Sequence, residues 1–312
     1  MSQQLFILFS VFIGLFLFGM TVMRTGLQNL AGDRVKELMV KMTDSPFKGL
    51  LVGTLITAII QSSSAVMIIT IGFVAAGIIT FKQSIGVILG SNIGTCLTLE
   101  IISFDLSQLS LPLLLVGVTL LVLPKTTLFS LGCVSFGLAS IFIAMDGLKE
   151  LAFPLSTLPL TNTYFLLTNE YSLIGIGIGT ILTAIIQSST ATTAITMGFI
   201  NEDVLGLPAG IAIMLGANIG TCFTAFLASI GSTRAAKMVA FAHIWINIIG
   251  VLLFIPFINA LSDFAMQLTS ISNLQLAHAS TIFNVVTSLA ILPFVHWFSK
   301  FILHFHNGGK KL

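Results

Sequence analysis

The sequence predicts an all-α polytopic membrane protein built from two inverted-topology repeats, each with a re-entrant hairpin and a broken transmembrane helix. Three observations carry this prediction. Of 312 residues, 56% are hydrophobic and 8% charged, and the mean hydropathy is +1.07. A soluble domain carries roughly 25% charged residues, so the chain cannot cover a water-facing surface and a soluble enzyme is excluded. The net charge of +2 is too small for a polyanion partner, so nucleic acid is excluded too. The second observation is an internal repeat without gaps, and the third is a one-sided distribution of basic residues.

The repeat defines the units. Residues 53–73 (GTLITAIIQSSSAVMIITIGF) and 179–199 (GTILTAIIQSSTATTAITMGF) share 14 identities in 21 positions at an offset of 126. The same offset pairs 90–98 (GSNIGTCLT) with 216–224 (GANIGTCFT), with 7 identities in 9, although the residues between the blocks differ freely. A weaker echo pairs Gly26–Leu30 with Gly147–Leu151 at offset 121. The chain therefore divides into a first repeat over 1–124, a second over 125–262, and a C-terminal transmembrane helix with a short tail over 263–312.

Taken in order, residues 5–30 form an apolar first helix. It has neither a basic leader nor a small-residue cleavage site and is expected to be retained. Residues 83–104, 111–124, 127–149, 207–230, 236–262 and 276–304 approach the ~20 residues of a full span; 111–124 is short and depends on tilt. The segments around the QSS blocks are shorter. Residues 49–60 and 66–79 flank a polar QSSSA, and an arm of twelve residues reaches only ~18 Å, about half the hydrocarbon core. Hairpins with polar tips near mid-membrane are expected over about 46–80 and 172–200. Broken helices are expected over about 83–104 and 207–230. Cys96, Cys133 and Cys222 lie in apolar stretches and read as small hydrophobes. Helix packing is assigned to Gly72, Gly77, Gly175, Gly177 and Gly198.

This layout places Arg34, Lys36, Lys41, Lys48, Lys82, Lys125, Arg234, Lys237, Lys300, Lys310 and Lys311 on one face. Lys149 stands on the other with Asp105, Glu150, Glu170, Glu202, Asp203 and Asp263. Eleven against one makes the basic face cytoplasmic, with the N-terminus outside and the C-terminus inside. The expected location is the cytoplasmic membrane.

Inverted repeats with paired interrupted segments point to a secondary transporter with its site at the repeat interface. Gln61-Ser62-Ser63-Ser64 and Gln187-Ser188-Ser189-Thr190 stand where one hairpin arm ends and the next helix begins. A helix start exposes unpaired N–H groups and partial positive charge, so two such tips can cradle an oxyanion. Asn92-Ile93-Gly94-Thr95 and Asn218-Ile219-Gly220-Thr221 weaken helix continuity, and their oxygens suit a hard cation such as sodium. No carboxylate pair is evident in the membrane interior, and neither His243 nor His278 has an evident orienting acid. Arg24 reads as near the basic end of the first helix, so no arginine stands deep enough to offset an anion.

These residues resemble the type II sodium–phosphate cotransporter family: QSSS and QSST in inverted repeats, each followed by G-x-N-I-G-T. The late Ala277, His278, Asn284 and Leu292-Pro293-Phe294 look like its bacterial members. The resemblance covers almost the whole chain and implies sodium-coupled symport of inorganic phosphate by alternating access. Carried over, phosphate is expected at Ser62, Ser63, Ser64, Ser188, Ser189, Thr190, Asn92 and Asn218. Sodium is expected at Gln61, Gln187, Thr95, Thr221, Thr192 and Thr193. No cofactor is expected beyond the coupling sodium ions; the partners are phosphate, sodium and the bilayer. Where the family continues with hydroxyls after the first tip, this chain has Ala65-Val66-Met67, so one sodium site is expected to be altered or lost. The regulatory domain that some bacterial relatives append is not expected here. Rival readings are a carrier of another oxyanion or a dicarboxylate, a phosphate exporter and, remotely, an intramembrane serine hydrolase, which lacks a G-x-S-x-G elbow.

Overall fold

A computed structural model describes residues 2–31, 37–39, 45–104 and 107–307. Arg34, Lys36, Lys41, Asp105, Lys310 and Lys311 of the charge argument lie outside the described residues. Within them the chain is helical and has no strand. Six helices are long and apolar enough to cross a membrane: Gln3–Ala31, Phe81–Ser103, Thr126–Ser156, Leu207–Ser229, Arg234–Leu268 and Ser272–His306. Of residues 111–124, expected as a seventh crossing, 111–121 fall in the shorter helix Ser107–Leu121.

The first unit contributes α1 (Ser2–Ala31), α2 (Pro46–Ile60), α3 (Ser63–Ala75), α4 (Phe81–Ser103) and α5 (Ser107–Leu121). The second contributes α6 (Thr126–Ser156), α7 (Pro159–Glu170), α8 (Ser172–Ile186), α9 (Ser189–Asn201), α10 (Leu207–Gly220), α11 (Cys222–Ser229) and α12 (Arg234–Phe254). Then come α13 (Ile258–Leu268), α14 (Ser272–Ile291) and α15 (Val295–Asn307). Local chemistry sets the starts. Pro46 occupies the first turn of α2 behind the Ser45 cap, and Thr80 and Gln83 close a capping box on α4.

The packing of α2 and α8 follows from which residues meet. Gly86, Gly90 and Gly94 of α4 lie against the backbone of Pro46, Leu50 and Thr54 of α2, in ascending order in both helices. The two helices are therefore parallel; α2 passes Gly94 at Thr54–Ala58 and ends at Ile60, while α4 continues to Ser103. The second unit repeats this at offset 126: Gly216 and Gly220 of α10 meet Ile176 and Thr180 of α8. Small residues at every fourth position let the backbones touch. Of the glycines assigned to packing from sequence, Gly72 and Gly177 have open space beside them, Gly77 sits in a left-handed turn (φ 70°), and Gly198 makes only ordinary contacts. Gly175 does pack, against Ala212. The tight contacts belong to the glycine rows instead, because a close approach needs a neighbouring helix in register.

The first helices of the two units run antiparallel. Gly19 of α1 meets Gly137 of α6, whereas Gly26 meets Ser130 and Cys133, and Gly147 meets Phe12. The main core lies between α1, α6, α9, α10 and α14 around Phe16, Ile141, Met197, Met214 and Phe283. A second core lies between α3, α4, α12 and α15.

The expected break in the first copy is absent. α4 runs unbroken through Asn92–Thr95, with Thr95 Oγ1 donating to Ser91 O at 2.9 Å. In the second copy there is only a one-residue irregularity at Thr221, between α10 and α11: Thr221 keeps right-handed dihedrals (φ −62°, ψ −22°) and its N–H bond to Ala217 O, and its Oγ1 donates to Asn218 O at 2.7 Å. The motif is identical in both copies, so the difference lies in its surroundings.

Candidate functional site

Both QSS tips have the same backbone. α2 ends on Gln61 in the left-handed conformation (φ 57°, ψ 31°) and α8 on Gln187 (φ 59°, ψ 28°). Each N–H closes back on the threonine carbonyl four residues earlier, Thr57 and Thr183. Glycine is the usual residue there; a glutamine is strained, and such strain gathers at functional sites. Gln61 Nε2 also donates to Ala58 O. The next residue caps the following helix: Ser62 Oγ accepts from Ala65 N at 3.2 Å, and Ser188 Oγ from Ala191 N at 3.3 Å. The caps satisfy one donor each, so the N–H groups of Ser63, Ser64, Ser189 and Thr190 have no intrahelical acceptor.

The tips converge. Gln61, Ser62, Ser63 and Ser64 share a cavity with Gln187, Ser188, Ser189 and Thr190. Thr95 and Thr98 of α4, Thr221 and Arg24 complete the lining. All twelve residues are polar, one is a cation and none is a carboxylate. Two helix starts and a guanidinium facing one polar cavity favour an anion.

Ten of the fourteen residues expected from sequence line this cavity. Asn92, Asn218, Thr192 and Thr193 do not. Asn92 Nδ2 donates to Asn247 Oδ1 at 3.3 Å, and Asn218 Nδ2 to Met214 O at 2.9 Å. Thr192 is buried, accepting from Thr183 Oγ1 at 2.8 Å and donating to Ser188 O at 3.3 Å; Thr193 is buried beside it. The hydroxyl substitutions between the copies compensate here. Thr57 Oγ1 donates to Ser91 Oγ at 3.0 Å, where the second copy has Ala217. Thr183 instead uses Thr192, where the first copy has Val66. Each equivalent threonine thus finds one hydroxyl, from opposite sides.

Arg24 overturns the expectation that no arginine reaches the site. It lines the cavity from α1, half-buried, and its Nε donates to the Gln61 carbonyl at 2.8 Å. Offset 121 pairs it with Met145, so no second arginine mirrors it. Gln61 is buried, whereas Gln187, without such a cover, is exposed. Thr98 was also missed, although it closes the repeated block quoted above. His278 likewise has a partner that sequence did not reveal: its Nδ1 lies 3.1 Å from Glu100 Oε1, which also accepts from Thr281 Oγ1 at 2.7 Å.

Lys82 and Lys300 border one cavity, with His296, whereas Lys149 and Asp146 border another, with Asn201 and Asn273.

Comparison with known proteins bears on this arrangement. The model of a family described as Na+/Pi-cotransporter matches residues 15–150 and 161–279. The chain is 39% identical over 294 residues to a Bacillus subtilis (strain 168) protein named uncharacterized protein YqeW, covering 94% of this chain and 96% of that one. It is 26% identical over 290 residues to YjbB of Escherichia coli (strain K12), provisionally named an inorganic phosphate export protein. That match covers 93% of this chain and 53% of YjbB, so the chain spans about half of that relative. Over 95 residues it is 36% identical to sodium-dependent phosphate transport protein 2A of Rattus norvegicus, covering 30% of this chain and 15% of that protein. No solved structure matches.

Proposed function

Because this chain belongs to the Na+/Pi-cotransporter family, we propose that it carries inorganic phosphate across the cytoplasmic membrane together with sodium, holding the anion between its two Gln-Ser-Ser tips. The observation that supports this most is the convergence of two serine-capped helix starts and one arginine on a wholly polar cavity. In this reading Ser62, Ser63, Ser64, Ser188, Ser189 and Thr190 hold phosphate through hydroxyls and first-turn N–H groups. Arg24 offsets part of its charge. A single guanidinium leaves a phosphate dianion under-compensated in a low-dielectric site, and sodium at Gln61, Gln187, Thr95 and Thr221 supplies the rest. The antiparallel course of α1 and α6 supports inverted units with re-entrant tips, and rocking between the units gives alternating access. The basic cavity edge at Lys82 and Lys300 then faces the cytoplasm.

Sodium replaced by choline is expected to abolish saturable phosphate uptake by the purified protein in liposomes. Undiminished uptake in choline would remove the coupling. Competition by sulfate, arsenate and succinate separates phosphate from other oxyanions and dicarboxylates. The name carried by YjbB favours a second reading in which net flux is outward; loading the vesicles with phosphate under each sodium gradient decides between them.

Ser63→Ala and Ser189→Ala are each expected to lower uptake by about tenfold, since a hydrogen bond to a charged group contributes ~1.5–3 kcal/mol. The caps remain on Ser62 and Ser188, so folded yield is expected to hold. Normal uptake by both variants would make the tips structural only.

A further inference from the structure

The two units share many single hydrogen bonds, and one of the places where they differ is a buried asparagine pair. Cys96 Sγ lies 3.6 Å from Ser280 O on α14, and Cys222 Sγ lies 3.6 Å from His243 O on α12. Each of those carbonyls also accepts from an asparagine four residues on: Asn284 Nδ2 at 2.9 Å and Asn247 Nδ2 at 3.0 Å. Hence α14 stands to α4 as α12 stands to the second copy of that helix. Two asparagine pairs thereby occupy equivalent places, Asn92 with Asn247 and Asn218 with Asn284.

Only the first pair is joined. Asn92 Nδ2 donates to Asn247 Oδ1 at 3.3 Å. In the second, Asn218 Nδ2 turns back to Met214 O on its own helix at 2.9 Å, and Asn284 Oδ1 is buried with no partner. The amide orientations follow from chemistry. Each Nδ2 faces a carbonyl, which can only accept, so each Oδ1 points the other way.

A buried acceptor without a donor is uncommon and calls for an explanation. Here the donor that would satisfy it stands at the equivalent position, turned away. We infer that the two pairs form a reciprocal latch, resting on the carrier reading above. Asn92–Asn247 is closed in the present conformation. In the opposite one Asn218 leaves Met214 and closes on Asn284, while Asn92 folds back onto the carbonyl of Ile88, the residue 126 before Met214. The exchange trades like bonds for like, so neither conformation is trapped by it. Asn247 and Asn284 lie outside the cavity lining and are positioning residues. They act through α4 and α10, which bear Thr95 and lead into Thr221.

The test uses the full chain in liposomes with one reporter at a time, Asn201→Cys at the cavity bordered by Asp146 or Ala235→Cys at the cavity bordered by Lys82. Labelling by a membrane-impermeant maleimide is compared with the parent, whose three cysteines are buried. Asn284→Leu removes the second acceptor and is expected to hold the present conformation, raising labelling at one reporter and lowering it at the other several-fold. Asn247→Leu is expected to shift both the opposite way. Shifts in the same direction for both variants overturn the latch. Should Asn247→Leu not fold, Asn284→Leu decides alone: it is expected to keep the parent's thermal midpoint, and unchanged labelling at both reporters overturns the inference. Labelling needs no knowledge of the cargo. Reciprocal shifts in a protein without sodium-dependent phosphate uptake would support the latch while sinking the phosphate reading.

Discussion

Replacing Arg24 with glutamine is expected to lower sodium-dependent phosphate uptake by about a hundredfold while folded yield stays near that of the parent. Arg24 is the single cation among the twelve residues of the cavity, and no carboxylate there competes for it. Removing the partner of a desolvated charge costs about 3 kcal/mol, and each ~1.4 kcal/mol is a factor of ten. The side chain also holds the strained first tip, since its Nε donates to the Gln61 carbonyl. Loss of the guanidinium therefore removes a charge and loosens the turn that presents Ser62 and Ser63. Arg24→Lys separates these contributions. A lysine keeps the charge but not the planar fork that binds a carbonyl and an oxyanion together, so uptake between that of the parent and the glutamine variant is expected. Initial rates in liposomes, set beside thermal midpoints in detergent, provide the check. Uptake by Arg24→Gln within a few-fold of the parent would take Arg24 out of the site.

The two polar turns were legible because duplication makes a weak local signal strong. A lone serine in an apolar helix says little, but four polar residues recurring at one offset located the turns at Gln61 and Gln187 to the residue. Features carried by one copy only had no such amplification. Arg24 has Met145 as its counterpart, and its place in the fold depends on how α1 crosses the first tip. Glu100 and His278 are 178 residues apart, and each looked isolated until α4 and α14 were packed together. The helix break was misjudged in the first copy, and its extent in the second, for a related reason. The two Asn-Ile-Gly-Thr motifs are identical, so continuity is decided by the neighbours they meet. Thr57 bonds Ser91 on the continuous helix, while Thr183 bonds Thr192 and leaves Ala217 alone. Periodicity reports which residues share a face, not which helix will cover it.

Gly90→Ala and Gly216→Ala are expected to be among the most destabilising single substitutions in the scaffold that carries the tips. A Cβ on Gly90 would stand 2.0 Å from Leu50 O, and one on Gly216 would stand 2.0 Å from Ile176 O. The obstructing atoms are backbone, so no rotamer change relieves the clash and the paired helices must separate. On α4 the contact is continued by Gly86 and Gly94, whose own Cβ positions lie 2.2 Å from Pro46 O and 2.5 Å from Thr54 O. One added methyl therefore lifts the whole of α2 off α4, and with it the turn at Gln61. Overpacking costs typically 1–3 kcal/mol, and a rigid backbone contact belongs at the upper end, about 3 kcal/mol. Lipid gives little hydrophobic drive to restore the pair, because helix association in membranes rests on close packing. Gly177→Ala is the internal control: nothing lies within 4 Å of its Cβ position, and alanine is favoured over glycine in a helix interior by ~0.8–1.0 kcal/mol. Thermal unfolding in detergent is expected to show a large fall for Gly90→Ala and Gly216→Ala and none for Gly177→Ala. If all three behave alike, the glycines act through helix flexibility, and the parallel pairing of α2 with α4 and α8 with α10 does not hold the tips.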